Sequence, residues 1–183
     1  MADLAALLFD LDGTLVDTAG ANYRAYAAAL AEAGCAVERD AFEAVAAGRH
    51  WSQFLPVLLP GADHAAIAAR KQILYPAMLG ETQVNTQLVG LARAVSGRLR
   101  LALVTNASPP SVEAVLAAHG LDTLFDTVVT GDDATNPKPA PDPYLLAMAR
   151  LGVSPEQCLA FEDSDIGAES AHRARISVVR VTL

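Results

Sequence analysis

Five short apolar runs punctuate the chain. Residues 5–9 (AALLF) read as a buried strand, and Leu101–Val104, Thr127–Val129, Cys158–Phe161 and Ser177–Val181 as four more. The last four alternate with segments of helical spacing. In residues 86–98 (TQLVGLARAVSGR), Leu88, Leu91, Ala92 and Val95 share a helical face and Gly97 is a stop. The next helix has Ser108 as N-cap, Pro109 at its first position and Gly120 at its end. A third has Asp142 as cap, Pro143 at its first position and Gly152 as stop. Apolar runs alternating with capped helices predict an α/β fold, a parallel sheet covered by helices. The fifth run is followed by almost nothing, so its strand is expected near a sheet edge.

Residues 18–84 break this rhythm and show no strand pattern. In residues 22–34 (NYRAYAAALAEAG), Tyr23, Tyr26, Ala27 and Leu30 share a face that ends at Gly34. Residues 50–61 and 63–79 also read as helical, with Pro56, Pro60 and Pro76 as interruptions. The expected organisation is a core of residues 1–17 and 85–183, with an all-helical cap at 18–84 inserted after the first strand. Such a cap would sit over the carboxyl ends of the strands, where open α/β sheets bind ligands.

Composition narrows the class. At 183 residues and 52% hydrophobic, the chain has enough apolar mass for a real core. No stretch is long and apolar enough to span a bilayer, and Asp3, Asp10 and Asp12 interrupt any signal-like segment. A formal charge of −8 argues against non-specific binding to nucleic acid or an anionic membrane, though not against a small anionic substrate. Cys35 and Cys158 form no metal-binding spacing, which fits a reduced, cytoplasmic protein.

Chemistry concentrates where the apolar runs end. Asp10 and Asp12 follow the first run, and Gly13 lets the backbone turn. Paired acids repel, so one holds a proton unless a cation intervenes. They can then divide the roles of nucleophile and general acid, or simply form an acidic loop. Thr105 and Asn106 follow the second run just before a helix, a place for binding an anion or for capping. Lys138, between Pro137 and Pro139, is held on a stiffened loop. Glu162 and Asp163 end the fourth run, and suit a hard cation or the first turn of a helix. Each signal is weak alone. In a parallel sheet, however, these ends share one edge, which would gather a nucleophile, an acid, an anion clamp, a lysine and a metal site.

Taken together, FDLDGTLVDT, LVTNAS, KPAPDPY and FEDSDIGAESA resemble the four motifs of the haloacid-dehalogenase-like (HAD) hydrolase superfamily. The inserted helices are similar to the small-cap subgroup of β-phosphoglucomutase and fructose-1-phosphate-type sugar phosphatases. The resemblance implies a Rossmann-like core and a Mg²⁺-dependent phosphatase for small phosphorylated metabolites, acting as a monomer or small homo-oligomer. It implies that Asp10 is the nucleophile and Asp12 the general acid and base. Thr105 and the amides after it, chiefly that of Asn106, would hold phosphoryl oxygens, and Lys138 would neutralise charge. Asp10, the carbonyl of Asp12, Glu162 and Asp163 would bind Mg²⁺. The presence of Asp12 favours phosphate esters over halides, which need no proton donor. Arg49, in the GRHW stretch, is a candidate for a second phosphate or a carboxylate, and Asn22 for sugar hydroxyls. A phosphomutase is the alternative, and a silent binding module a third reading. Three positions depart from the pattern: Arg175 where relatives carry glycine, Asn22 where mutases tend to carry histidine, and a second hinge (GETQVNTQLVG) without proline-glycine.

Overall fold

All four residues of the first strand, β1 (Ala6–Phe9), are buried, and the fold is organised around it. The computed structural model describes residues 3–183; residues 1–2, the start of the expected core segment, lie outside it. Along the chain β1 is followed by β2 (Val16–Asp17), α1 (Ala19–Glu32), α2 (Arg39–Ala46), α3 (Trp51–Leu58) and α4 (His64–Leu74). A 3₁₀ stretch (Tyr75–Glu81), β3 (Gln83–Val84), α5 (Thr86–Val95), β4 (Arg100–Val104), α6 (Pro109–His119) and β5 (Thr127–Val129) come next. The chain closes with α7 (Asp142–Leu151), a 3₁₀ turn (Pro155–Gln157), β6 (Cys158–Glu162), α8 (Asp165–Arg173) and β7 (Ser177–Arg180).

Five strands form one parallel sheet in the order β5-β4-β1-β6-β7, so the last strand is an edge as expected. Alternation along β1 splits the core into two layers. Leu7 and Phe9 pack with Val89 and Ala92 of α5 and with Val112, Val115 and Leu116 of α6. Ala6 and Leu8 pack on the other face with Tyr144, Ala147 and Met148 of α7 and Ala171 of α8. The central strands are thus covered on both sides, which is why they read as continuous apolar runs, while the edge strand β7 is largely exposed.

The helix signals hold with local shifts. Ser108 occupies the N-cap position of α6 with its hydroxyl on Gln72 and Ser111 rather than on the helix backbone, and Gly120 and Gly152 end their helices in the left-handed region at φ +62° and +69°. Asp142 is the first residue of α7 rather than its cap, which is Pro141. Pro56 stays inside α3 instead of ending it. Leu91 is 39% exposed, and Val89 takes its expected place on the buried face of α5. The residues of α1 face two ways: Ala21 and Ala25 join the main core, while Tyr26, Ala29 and Leu30 build a separate cluster with Phe42, Phe54, Leu55, Ile67 and Ala68. That second cluster is an independent core for the inserted helices.

Arg175 has φ +63°, the one positive-φ residue among the described residues that is not glycine. The turn after α8 needs it, because Ile176 N–H bonds back to the Ala171 carbonyl and turns the chain into β7. A left-handed L-residue costs about 1–2 kcal/mol, partly offset in glycine by its more flexible unfolded state. Arg175→Gly is therefore expected to stabilise the protein by roughly 0.5–1 kcal/mol, read as a higher urea midpoint with an unchanged m-value.

Candidate active site

The sheet order decides which loops meet. With β1 between β4 and β6, Phe9 pairs with both Leu103 and Phe161, so the residues after them leave the sheet side by side. Asp10 N–H bonds to the Phe161 carbonyl and Thr105 N–H to that of Val129. Asp10 and Thr105 are buried here, as is Glu162, which is fully excluded from solvent.

Lys138 arrives from the loop after β5, and only 2% of it is exposed. Its ammonium donates to Asp10 Oδ1 at 2.8 Å, to Glu162 Oε1 at 2.5 Å and to the Val104 carbonyl at 2.7 Å. Burial alone would lower its pKa, but the carboxylates of Asp10 and Glu162 outweigh burial and push it up to about 12. Tyr144 OH donates to the same Glu162 oxygen at 2.6 Å. Gly167 packs against that carboxylate so tightly that a Cβ would fall 1.9 Å from Oε2, and Gly13, at φ +82°, similarly leaves no room beside Asp163.

Burial raises the pKa of Asp10 well above the usual carboxylate range; Lys138 opposes this, and Glu162, Asp163 and Asp12 add to it. Burial and Glu162 likewise raise that of Asp163, whose Oδ1 accepts a hydrogen bond from Thr14. Ligand atoms of Asp10, Glu162 and Asp163 lie within 4.8 Å of one another. Glu162 Oε2 is buried without a hydrogen-bond partner among the described residues. Three hard oxygen donors, mutually repelling and short of positive charge, are a donor set suited to a divalent cation.

Asp12 has different partners. Its carboxylate accepts from the Thr18 hydroxyl and, at 3.2 Å, from Asn22 Nδ2. Asn22 thus lines the cavity while bonded to Asp12 and Thr18. The cavity, of about 300 Å³, runs from Asp10, Asp12 and Thr105 to the aromatic wall of Tyr26, Phe42, Trp51 and Phe54. Arg49 lines it as an exposed residue, its guanidinium on the Val45 carbonyl at 2.9 Å. The side chain of Asn106 is engaged with protein: it accepts from Lys138 N–H at 2.9 Å and donates to the carbonyls of Lys138 and Gly48.

One important group escaped the sequence reading. Lys71 is 4% exposed, lines the cavity, and has no carboxylate partner among the described residues. Its ammonium donates to Ser111 Oγ at 3.0 Å and lies 3.6 Å from the ring centre of Tyr75. Burial lowers its pKa to about 8, against a weaker upward pull from Asp12. A signal was present: in AAIAARKQIL, Lys71 shares the buried face of α4 with Ile67 and Ala68, where a lysine needs a reason.

A parallel sheet whose carboxyl edge joins an acid pair, a buried lysine and a second acidic cluster defines a hydrolase built for phosphoryl or related group transfer. A family model described as haloacid dehalogenase-like hydrolase matches residues 4–175, and the chain belongs to that family. Fructose-1-phosphate phosphatase YqaB of Escherichia coli (strain K12) is 34% identical over 98% of this chain and 97% of its own. The crystal structure of CbbY from Rhodobacter sphaeroides in complex with phosphate superposes with a TM-score of 0.92 at 28% identity, covering 98% of this chain and 87% of that one. A mutant of that CbbY in complex with xylulose-(1,5)bisphosphate superposes at 0.91, with the same identity and coverage. No helix among the described residues is long and apolar enough to cross a membrane.

Proposed function

We propose that this hydrolase cleaves small phosphate monoesters, sugar phosphates above all, through an aspartyl phosphate on Asp10. The observation that carries the reading is the position of the Asp10 carboxylate. It lies where Lys138, Glu162 and Asp163 converge, at the floor of a cavity it shares with Asp12 and Thr105. The names of the relatives, a fructose-1-phosphate phosphatase and a CbbY crystallised with a sugar bisphosphate, point to the same substrate class.

Asp10 attacks phosphorus as the ester P–O bond breaks, and Asp12 gives its proton to the leaving oxygen. Asp12 then takes a proton from the water that attacks the acyl phosphate, freeing the Asp10 carboxylate and inorganic phosphate. The net change is ester plus water to alcohol plus phosphate. Thr105 Oγ1 accepts from Ala107 N–H at 3.0 Å, which leaves its own proton for a phosphoryl oxygen. The backbone N–H of Asn106 is the second donor, and the Lys138 ammonium balances charge between Asp10 and the phosphoryl group. Asp10, Glu162, Asp163 and the main-chain carbonyl of Asp12 would hold Mg²⁺, which when bound supplies positive charge against the phosphoryl oxygens.

Residues 18–84 act as a cap over the core of residues 1–17 and 85–183, hinged near Asp17–Gly20 and Leu79–Thr86. The antiparallel pairing of Val16–Asp17 with Gln83–Val84 brings both crossings together. Within the cavity Lys71 offers positive charge to an oxygen on the far side of the substrate, with Asn22 near the sugar hydroxyls and Arg49 at the opening. Losing a charge-assisted hydrogen bond there costs about 1.5–3 kcal/mol, so Lys71→Met should raise KM for sugar phosphates roughly 10–100-fold. The charge on Lys71 is present below its folded pKa of about 8 and lost above it. In the wild type KM should therefore rise as pH passes 8, and in Lys71→Met it should stay flat.

A phosphate-release screen over sugar phosphates tests the function. Mg²⁺-dependent release of free phosphate supports it. An isomerised sugar phosphate as main product would establish a mutase instead, and no turnover of any ester by folded protein would leave a binding module.

A further inference from the structure

One contact between the inserted helices and the core also reaches the backbone of Lys138. The Asn106 side-chain amide grips the Lys138 peptide at both ends, accepting from its N–H at 2.9 Å and donating to its carbonyl at 3.1 Å. The remaining amide proton reaches the Gly48 carbonyl, 2.8 Å away on the loop between α2 and α3. From the same inserted segment, Gln53 Nε2 donates to the Lys138 carbonyl at 3.4 Å. Beside them His50 Nε2 meets Asp132 Oδ1 at 3.0 Å, on the loop that leads to Lys138. Gly131 allows this approach: a Cβ there would lie 2.5 Å from the Asn106 carbonyl oxygen and 2.6 Å from the His50 ring.

We propose that Asn106 is a positioning residue that ties the seating of the 48–53 segment to the placement of the Lys138 ammonium. Both amide protons and the amide oxygen are engaged, so the side chain links three pieces of backbone rather than facing substrate. The Lys138 stem is buried, and a displacement of its peptide therefore carries through to the ammonium that serves Asp10 and Glu162. When the segment lifts away, the Asn106 amide loses the Gly48 acceptor and the Lys138 carbonyl loses Gln53. With the segment seated, the lysine backbone is held from both sides, so charge stabilisation is completed only under a closed cap.

This inference rests on the phosphatase reading, and the test separates the two. Wild type, Asn106→Ala, Gln53→Glu and the double variant are assayed with p-nitrophenyl phosphate and Mg²⁺, with folding checked by circular dichroism. Gln53→Glu keeps the acceptor for His50 N–H, a 3.0 Å bond, and replaces the donor to Lys138 with a charged oxygen that repels its carbonyl. Asn106→Ala should lower kcat 10–100-fold and Gln53→Glu roughly 3–10-fold, each with KM within about threefold. The double variant should lose less than the product of the single losses, because both act through one peptide. An inactive wild type would defeat the phosphatase reading. With an active wild type, an unchanged kcat in Asn106→Ala, a loss confined to KM, or multiplicative losses would overturn the proposal. If Asn106→Ala does not fold, Gln53→Glu decides alone: a kcat loss supports the coupling and an unchanged kcat refutes it.

Discussion

Asp10→Asn is expected to abolish Mg²⁺-dependent release of p-nitrophenol, by at least about 10³-fold or 4 kcal/mol of barrier. The amide keeps the shape but cannot form the acyl phosphate. Folding should not suffer, because Lys138 keeps Glu162 and the Val104 carbonyl as acceptors. Stability should shift in a direction fixed by linkage. Burial raises the folded pKa of Asp10, so the native state holds that proton more tightly than the unfolded chain. Without metal, wild-type stability should therefore fall as pH rises above the ordinary aspartate range. Asp10→Asn removes part of that slope, and its metal-free Tm at pH 7 should equal or exceed that of wild type. Mg²⁺ should raise the wild-type Tm more than the variant's, because one ligand carboxylate has become an amide. Thermal melts across pH, with Mg²⁺ or a chelator, read all of these effects. Wild-type-like turnover in the variant would remove Asp10 from the role of nucleophile.

Lys138→Met should cost both activity and stability. Removing the ammonium leaves Asp10 and Glu162 buried without their counter-charge, a class of change that costs about 3–5 kcal/mol. For a protein of this size that lowers Tm by roughly 10 °C. The deficit should shrink as pH falls, because the raised pKa of Asp10 lets that carboxyl take a proton and shed its charge earlier than an ordinary aspartate. Activity should fall about 10²–10³-fold even with Mg²⁺, since charge near the phosphoryl group is lost. A Tm at pH 7 equal to that of wild type would show that the site does not depend on this charge.

The clusters after four apolar runs were legible because each follows a strand whose burial on both faces leaves a clear apolar signature. Asp10, Thr105, Lys138 and Glu162 are all drawn to the same edge, and Asp163 joins two of them within ligand distance. The two-residue strands Val16–Asp17 and Gln83–Val84 were not legible, because two residues have no periodicity and their paired residues lie 66 and 68 positions apart. The role of the Asn106 side chain was hidden for a similar reason. Its acceptors on Gly48 and Lys138 come from segments distant in the chain, and no local pattern marks a backbone carbonyl as a partner.

By itself, then, the order of residues determined the strands of the parallel sheet, most helix ends and the chemical types available at the sheet edge. These follow from burial, backbone geometry and side-chain pKa values that act within a few residues. Tertiary structure alone decided which charges are matched. It placed Lys71 in the cavity without an acid partner among the described residues, put Arg49 on the Val45 carbonyl, and turned Asn106 toward the protein. A charge or amide is satisfied by whatever folding brings within about 3 Å, and that distance is set by packing between elements.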